Sequence, residues 1–236
     1  MINRDSLSDG AFLNSFKEAL GDEWWSEERI EASMQDMLAR RPPNQPVWVF
    51  AYGSLIWNPV FHFVESQPGR LPGWRRSFCI RLRAGRGSPE HPGRMMSLVA
   101  GGHTDGLALR LDEYTLEPEL RMVWRREMVG GAYQPAWAPV QLEDGRCVEA
   151  IIFTANPDSP MHETDDSVET VAPLIATAHG VLGSNREYVR LLDAALKHYD
   201  IHDDYIQALA QRLEQLAPQA DRTQVGSKTR VNTAGA

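Results

Sequence analysis

The chain has 236 residues, 42% of them hydrophobic and 24% charged, which fits one large globular domain with appendages and excludes disordered, collagen-like and disulfide-scaffold classes. Lys and Arg number 24 against 32 Asp and Glu, a formal charge of -8, so no nucleic-acid partner is expected and a small molecule or protein is the better prior. Cys79 and Cys147 form neither a disulfide framework nor zinc-site spacing, and no signal-peptide core or run of about 18 apolar residues occurs, so the expectation is a cytoplasmic protein without a membrane partner.

Residues 8 to 41 read as two helices, with Phe12, Leu13, Phe16 and Leu20 on one face of the first and Ile30, Met34, Met37 and Leu38 at helical spacing in the second. Ser26 before Glu27 and Glu28 is a start signal and Arg40-Arg41 before Pro42-Pro43 a stop, because acids suit the positive end of the helix dipole and bases the negative end. A boundary therefore falls near Pro46. Residues 1 to 46 form a helical extension, expected to pack on its own domain rather than stand out as a partner-binding arm.

From Val47 to Tyr52 a continuous apolar run suits a strand buried on both faces, ended by Gly53. Phe78, Ile80 and Leu82 alternate with Cys79, Arg81 and Arg83, predicting a half-buried strand. Met95 to Val99 and Gly106 to Leu111 read as a hairpin closed at Gly101-Gly102. Leu116 to Arg126 predicts a helix with Leu116, Leu120, Val123 and Trp124 inward. A second hairpin runs from Val140 and Leu142 through Asp144-Gly145 to Val148, Ala150 and Ile152. Three helical patterns follow, carried by Val171, Leu174, Ile175 and Ala178, by Tyr188, Leu191, Leu192, Ala195 and Tyr199, and by Tyr205, Ile206, Leu209 and Leu213. Residues 217 to 236 are polar and aperiodic, expected to be a disordered tail. Strand and crossover helix do not alternate, so the fold class expected for residues 47 to 216 is α+β, a small mixed β-barrel with surrounding helices.

Two segments could carry chemistry. Tyr52-Gly53-Ser54-Leu55-Ile56-Trp57 ends a buried strand in a Gly-Ser turn whose N–H groups can approach an anion, or it is plain turn chemistry. In Trp124-Arg125-Arg126-Glu127-Met128, the glutamate sits at a helix C-terminus before Gly130-Gly131, where the dipole and apolar neighbours would raise its pKa and suit a general base. The alternative is a solvated ion pair with Arg125 or Arg126. Metal binding is not expected, since His198 and His202 at i, i+4 precede Asp203 and Asp204 at a helix junction and read as a polar face. Arg70, Arg75, Arg76, Arg81, Arg83 and Arg86 are locally basic and either attract an anionic substrate or simply face outward.

Val49 to Trp57, Arg86-Gly87-Ser88-Pro89-Glu90-His91-Pro92-Gly93 and Trp124 to Met128 together resemble, in its bacterial form, the ChaC family of glutathione-specific γ-glutamylcyclotransferases, over about Val47 to Leu213. The resemblance implies a cofactor-free lyase that closes 5-oxoproline and releases Cys-Gly, with glutathione as the small-molecule substrate and the oligomeric state open between monomer and weak dimer. It implies Glu127 as general base and acid, shielded from Arg125 and Arg126, and Val49, Phe50, Ala51, Tyr52, Gly53, Ser54 and Leu55 as the substrate-binding loop. Tyr133, Asn185 and Tyr188 are candidates for outer contacts. The chain departs from the family pattern at Ala51, where many relatives have Gly, and at Gly101 to Asp105. A cyclotransferase for other γ-glutamyl amines, or a non-enzymatic regulator, are the alternatives; the regulator would go with an exposed, salt-bridged Glu127.

Overall fold

A computed structural model describes residues 2–8 and 10–216; the tail predicted from 217 lies outside the described residues. Three helices come first, α1 (Arg4–Ser8), α2 (Ala11–Leu20) and α3 (Glu27–Ala39), of which α1 was not expected from the sequence. Ser26 caps α3 by accepting from the Arg29 N–H, as its position before two glutamates suggests. The apolar faces predicted for α2 and α3 are the buried ones, with Leu38 only half-buried.

The run after Pro46 becomes β1 (Trp48–Ala51), with all four side chains buried. It is followed by two long strands, β2 (Glu65–Leu82) and β3 (Gly93–Arg110), then by α4 (Leu116–Glu127) and the predicted hairpin β4 (Tyr133–Leu142) and β5 (Cys147–Ala155). The five strands close a barrel in the order β1-β3-β2-β4-β5, with β1 antiparallel to β3 and parallel to β5. Pairing on both edges and cover on both faces explain why β1 carries no polar alternation.

Two expectations about β2 and β3 fail, and both for the same reason. Gly101-Gly102 does not close a hairpin. The two glycines lie inside β3 opposite the single Gly73 of β2, between the pairs Pro72↔His103 and Trp74↔Ala100. All three have positive φ (80° at Gly73, 119° at Gly101, 64° at Gly102), so they bend the ribbon where a turn would have reversed it. A second bulge falls between Ser77↔Ser97 and Ile80↔Met95, where Phe78 and Cys79 face Met96 alone. The extra residue breaks the period-two alternation, so Phe78, Cys79 and Ile80 are buried consecutively and Cys79 does not face outward as predicted.

The last third covers the barrel with α5 (Val168–Thr177), a two-stranded turn of β6 (His179–Gly180) and β7 (Gly183–Ser184), α6 (Asn185–His198) and α7 (Asp204–Gln215). Ser184 and Asp203 cap α6 and α7 by accepting from the Glu187 and Ile206 N–H groups at 3.1 and 3.0 Å. Tyr199, predicted inward, lies past the end of α6 and is exposed.

The N-terminal helices are clamped to α4 by ion pairs: Arg4 to Glu119 at 2.6 and 3.0 Å, Arg121 to Glu31 at 2.8 and 2.9 Å, and Arg125 to Glu27. α4 in turn lies on the barrel through Leu120, Val123 and Trp124, all fully buried, with the Trp124 ring 5.2 Å from that of Phe153 in β5. Trp124 therefore fixes the helix that ends at Glu127. Trp124→Ala is expected to cost about 3–5 kcal/mol of folding stability through lost burial and the cavity left behind; urea denaturation measures it, and a cost under about 1 kcal/mol would contradict the packing described.

Candidate active site

Glu127 is the last residue of α4, and the chain turns away immediately after it. The turn needs glycine at 131, where φ is 61° and an added Cβ would come within 2.4 Å of Trp25 Nε1. Apolar neighbours leave the Glu127 side chain only 14% exposed. Arg126 Nε lies 3.2 Å from Glu127 Oε1, close enough for an ion pair but not aligned as a hydrogen bond, and Oε1 is buried with no hydrogen-bond donor. Burial pushes the Glu127 carboxyl above the ordinary carboxylate range, and the Arg126 charge holds back part of that rise.

Arg125 and Arg126 have separate fates. Arg125 points to the N-terminal helices, donating to Leu7 O at 3.0 Å and pairing with Glu27. Arg126, in contrast, is buried beside Glu127, so the expectation that Glu127 is shielded from both arginines holds for one only. The Arg126 fork also donates to Ser54 Oγ at 2.5 Å and to Asn58 O. One guanidinium thus joins the end of α4 to the turn after β1, because only a planar group with several fixed donors can reach all three partners.

Tyr52, Gly53, Ser54 and Leu55 line a small recess of about 20 Å³ together with Glu127, Met96, Tyr133, Phe153 and Tyr188. That is room for a water-sized group. Val49, Phe50 and Ala51, which the sequence placed in the same loop, stay in β1 within the barrel core and do not line it. An added Cβ on Gly53 would meet Met96 Cε at 2.8 Å and Tyr188 Oη at 3.1 Å, so glycine keeps this turn open. Below the turn, the buried Arg76 donates to Tyr52 O at 2.9 Å and pairs with Asp203 at 2.8 Å, tying the strand end to α7.

Tyr52 Oη donates to Phe153 O, and Tyr133 Oη to Met96 O at 2.9 Å, so both hydroxyl protons are committed and what these groups offer the recess is acceptor lone pairs. Burial raises both phenols well above their usual range, and it pushes Tyr188 up to about 12 with the Glu127 charge as the second cause. The Tyr188 ring is held edge-on by Trp57 and Phe78, at 5.4 and 6.1 Å. Acceptors on one side suit the recess to an ammonium-sized cation, with the glycine turn beside it for an anion.

The recess shares Ser54, Glu127, Tyr133 and Tyr188 with the lining of an outer cleft of about 150 Å³. Of the arginine cluster, Arg81, Arg83 and Arg86 line this cleft, Arg76 is buried under the turn, and Arg70 and Arg75 pair with Asp105 and Asp166, each at 2.7 Å, away from it. Asn185 lies in neither cavity; it is fully buried and its Oδ1 accepts from the Arg94 N–H at 2.8 Å, fastening the start of β3. Met96, Phe153 and the N-terminal cleft residues Phe12, Phe16 and Leu20 were not singled out from sequence as functional, since their patterns signal only a strand or helix face. Among the described residues no group of three His, Cys, Asp or Glu could hold a metal ion, and His202 pairs with Asp204 at 2.8 Å on the surface.

The model of the ChaC-like protein family matches residues 47–216. A glutathione-specific γ-glutamylcyclotransferase of Escherichia coli (strain K12) is 45% identical over 216 residues, which span 92% of this chain and 94% of that protein. A glutathione-specific γ-glutamylcyclotransferase 1 of Homo sapiens is 31% identical over 154 residues, 63% of this chain and 69% of the human one. Among solved structures, a γ-glutamyl cyclotransferase specific to glutathione from yeast superposes with a TM-score of 0.67 at 22% identity, covering 73% of this chain and 97% of that one, which is agreement in fold.

The opposed influences on Glu127 can be separated. In the wild type its carboxyl is expected to titrate above the ordinary range, and in Arg126→Gln, which removes the charge that lowers it, at still higher pH. Carbon-13 NMR of the labelled side chain reads both. A lower titration midpoint in the variant would overturn the account.

Proposed function

The chain belongs to the ChaC-like family, and from that membership we propose that it is a glutathione-specific γ-glutamylcyclotransferase, splitting glutathione into 5-oxoproline and Cys-Gly. The observation that carries the proposal is the buried Glu127 carboxylate, its Oε1 near Arg126 but without a hydrogen-bond donor, facing a glycine turn beside an open cleft.

The γ-glutamyl end lies at the mouth of the recess, with its α-ammonium group reaching in. Its α-ammonium group donates to Glu127 and to the Tyr52 and Tyr133 oxygens, whose own protons are already engaged. Its carboxylate meets the N–H groups at Gly53 and Ser54, with the Tyr188 hydroxyl beside them. Glu127 takes one proton from the ammonium. The freed amine attacks the γ-carbonyl carbon, a new C–N bond closes the five-membered ring, and the developing oxyanion is held by the same turn. As the old amide C–N bond breaks, Glu127 returns the proton to the departing cysteinyl nitrogen, then takes the second surplus proton from the ring nitrogen and passes it on the same way, leaving the neutral lactam and Cys-Gly as its ammonium. Both reacting groups belong to one molecule, so the protein supplies folding of the substrate and proton transfer, and the step draws on no cofactor.

The pKa of Glu127 decides whether this works. An ordinary amine near 8 and an ordinary glutamate near 4.3 differ by about 4 units, roughly 5 kcal/mol uphill. Burial of Glu127 narrows that gap from the acid side, while Arg126 keeps enough of it ionised to act as a base. A regulator without activity would go with an exposed, salt-bridged Glu127, and the carboxylate is instead mostly buried. The two free cysteines, Cys79 buried and Cys147 exposed, support placing the reaction in the reducing cytoplasm.

Purified protein given reduced glutathione without added metal is expected to form 5-oxoproline and Cys-Gly in equal amounts. Glu127→Gln, folded to the same extent by circular dichroism, should lower kcat by about 10³-fold. The acid limb of the kcat/KM profile should lie above the ordinary carboxylate range, since activity appears only as Glu127 loses its proton. A Gln variant with near wild-type turnover would remove Glu127 from the mechanism.

A further inference from the structure

The recess accounts for the glutamyl end of the substrate, while the outer cleft has a chemistry of its own. One wall is Phe12, Phe16 and Leu20 of α2, and the other is Ile80, Met95 and Met161 of the barrel side. All but Met95, which packs against it, belong to a buried apolar cluster separate from the barrel core. The Cys-Gly half of glutathione carries a peptide group and a carboxylate, and this wall offers neither a hydrogen bond. What it complements is the one apolar part of that half, the cysteinyl side chain and anything attached to its sulfur.

Three observations fix the occupant. The cleft adjoins the recess, sharing Ser54, Glu127, Tyr133 and Tyr188 with it, so a group lying in it is next to the γ-carbonyl. The cleft, of about 150 Å³, is open toward solvent, so a substituent on the sulfur can lie along its apolar wall beside the Cys-Gly backbone. Arg81, Arg83 and Arg86 also line the cleft, paired with Glu163, Glu23 and Glu187 at 3.2, 2.6 and 2.9 Å, and can share those partners with a glycine carboxylate. A molecule with an apolar thioether and a terminal carboxylate satisfies both sets.

We propose that the outer cleft seats an apolar substituent on the cysteinyl sulfur, so that S-alkyl and S-aryl conjugates of glutathione are substrates as well as glutathione itself. The inference rests on the cyclotransferase reading above. The reaction is unchanged in its balance: the glutamyl α-nitrogen bonds to the γ-carbonyl carbon, the amide C–N bond breaks, two ammonium protons pass in turn through Glu127 to the leaving nitrogen, and the thioether survives. The products are 5-oxoproline and the S-substituted Cys-Gly.

The test compares reduced glutathione, S-benzylglutathione and S-hexylglutathione as substrates of the full chain, with Leu182→Ser beside the wild type. Leu182 lines the cleft, is only half-buried, and keeps its backbone N–H bond to Gly85 O at 2.8 Å whatever its side chain. The expected result is a kcat/KM for S-benzylglutathione at or above that for glutathione, and a fall of about fivefold in the conjugate-to-glutathione ratio in the variant. Turnover of glutathione with no product from either conjugate overturns the inference and leaves the parent reading intact. Conjugates that inhibit without being cleaved overturn it too, as does an unchanged ratio in Leu182→Ser, which would place the substituent elsewhere. No product from any of the three overturns both readings.

Discussion

A single buried guanidinium holds the site together. Arg126 sits under the β1 turn with donors to Ser54 Oγ and Asn58 O and its Nε beside Glu127 Oε1. Burying a cation is costly unless it is paired and hydrogen-bonded, and removing one member of such a set typically costs about 3–5 kcal/mol because the others are left uncompensated. The expense has a functional logic. Desolvation alone would drive Glu127 toward a neutral acid that could not act as a base. A fully aligned ion pair would pin it as an ordinary carboxylate too weak to take a proton from an amine. A cation that is near but misaligned leaves it between those limits, with Oε1 unclaimed.

The geometry that makes this arrangement possible comes from the irregular parts of the sheet. The β2 bulge at Phe78-Cys79 sets Met96 alone across from two residues, and Met96 is one wall of the recess, with its methyl within 2.8 Å of where a Gly53 side chain would begin. A regular ladder would give Met96 a different neighbour and turn its face. The glycine bend at 73 and 101–102 curls the same ribbon so that one end of β3 pairs with β1 while Leu98 reaches Thr154 of β5, closing the barrel around the turn. Bulges re-aim side chains next to functional clefts, and here one re-aims Met96 and the other closes the wall.

These irregularities are also where sequence reasoning ran out. Helices with wide apolar stripes, such as α2, α4 and α7, were legible because burial requires a period of 3.6 and little else repeats that way. β1 was legible as a continuous apolar run. Gly101-Gly102 was misread because positive φ serves a turn and a bulge equally, and only the partner strand distinguishes them. Cys79 was misplaced because a bulge shifts the alternation by one residue without any local signature. In the site, Glu127 and the Tyr52–Leu55 turn were readable as local motifs: a carboxylate against the wrong end of a dipole and a strand ending in Gly-Ser. The part played by Arg126 was not, since it depends on a partner 72 residues away.

The N-terminal extension shows how the same residues can be both packing and function. Its expected role was to cover its own domain, and Phe12, Phe16 and Leu20 do that, being at most 7% exposed. The surface they cover, however, is the side of the barrel beside the recess, so the packing face of α2 is also a cleft wall. The clamps that fix the extension, from Arg4 of α1 to Glu119 and from Glu31 and Glu27 of α3 to Arg121 and Arg125, all bear on α4, and Glu127 is the last residue of that helix. Position of the wall and orientation of the carboxylate are therefore set by one rigid body. Loosening α1 and α3 from α4 would free the α2 packed among them to widen the cleft and would release the helix end on which the proton carrier stands, so leaving-group recognition and proton transfer are mechanically joined in this chain.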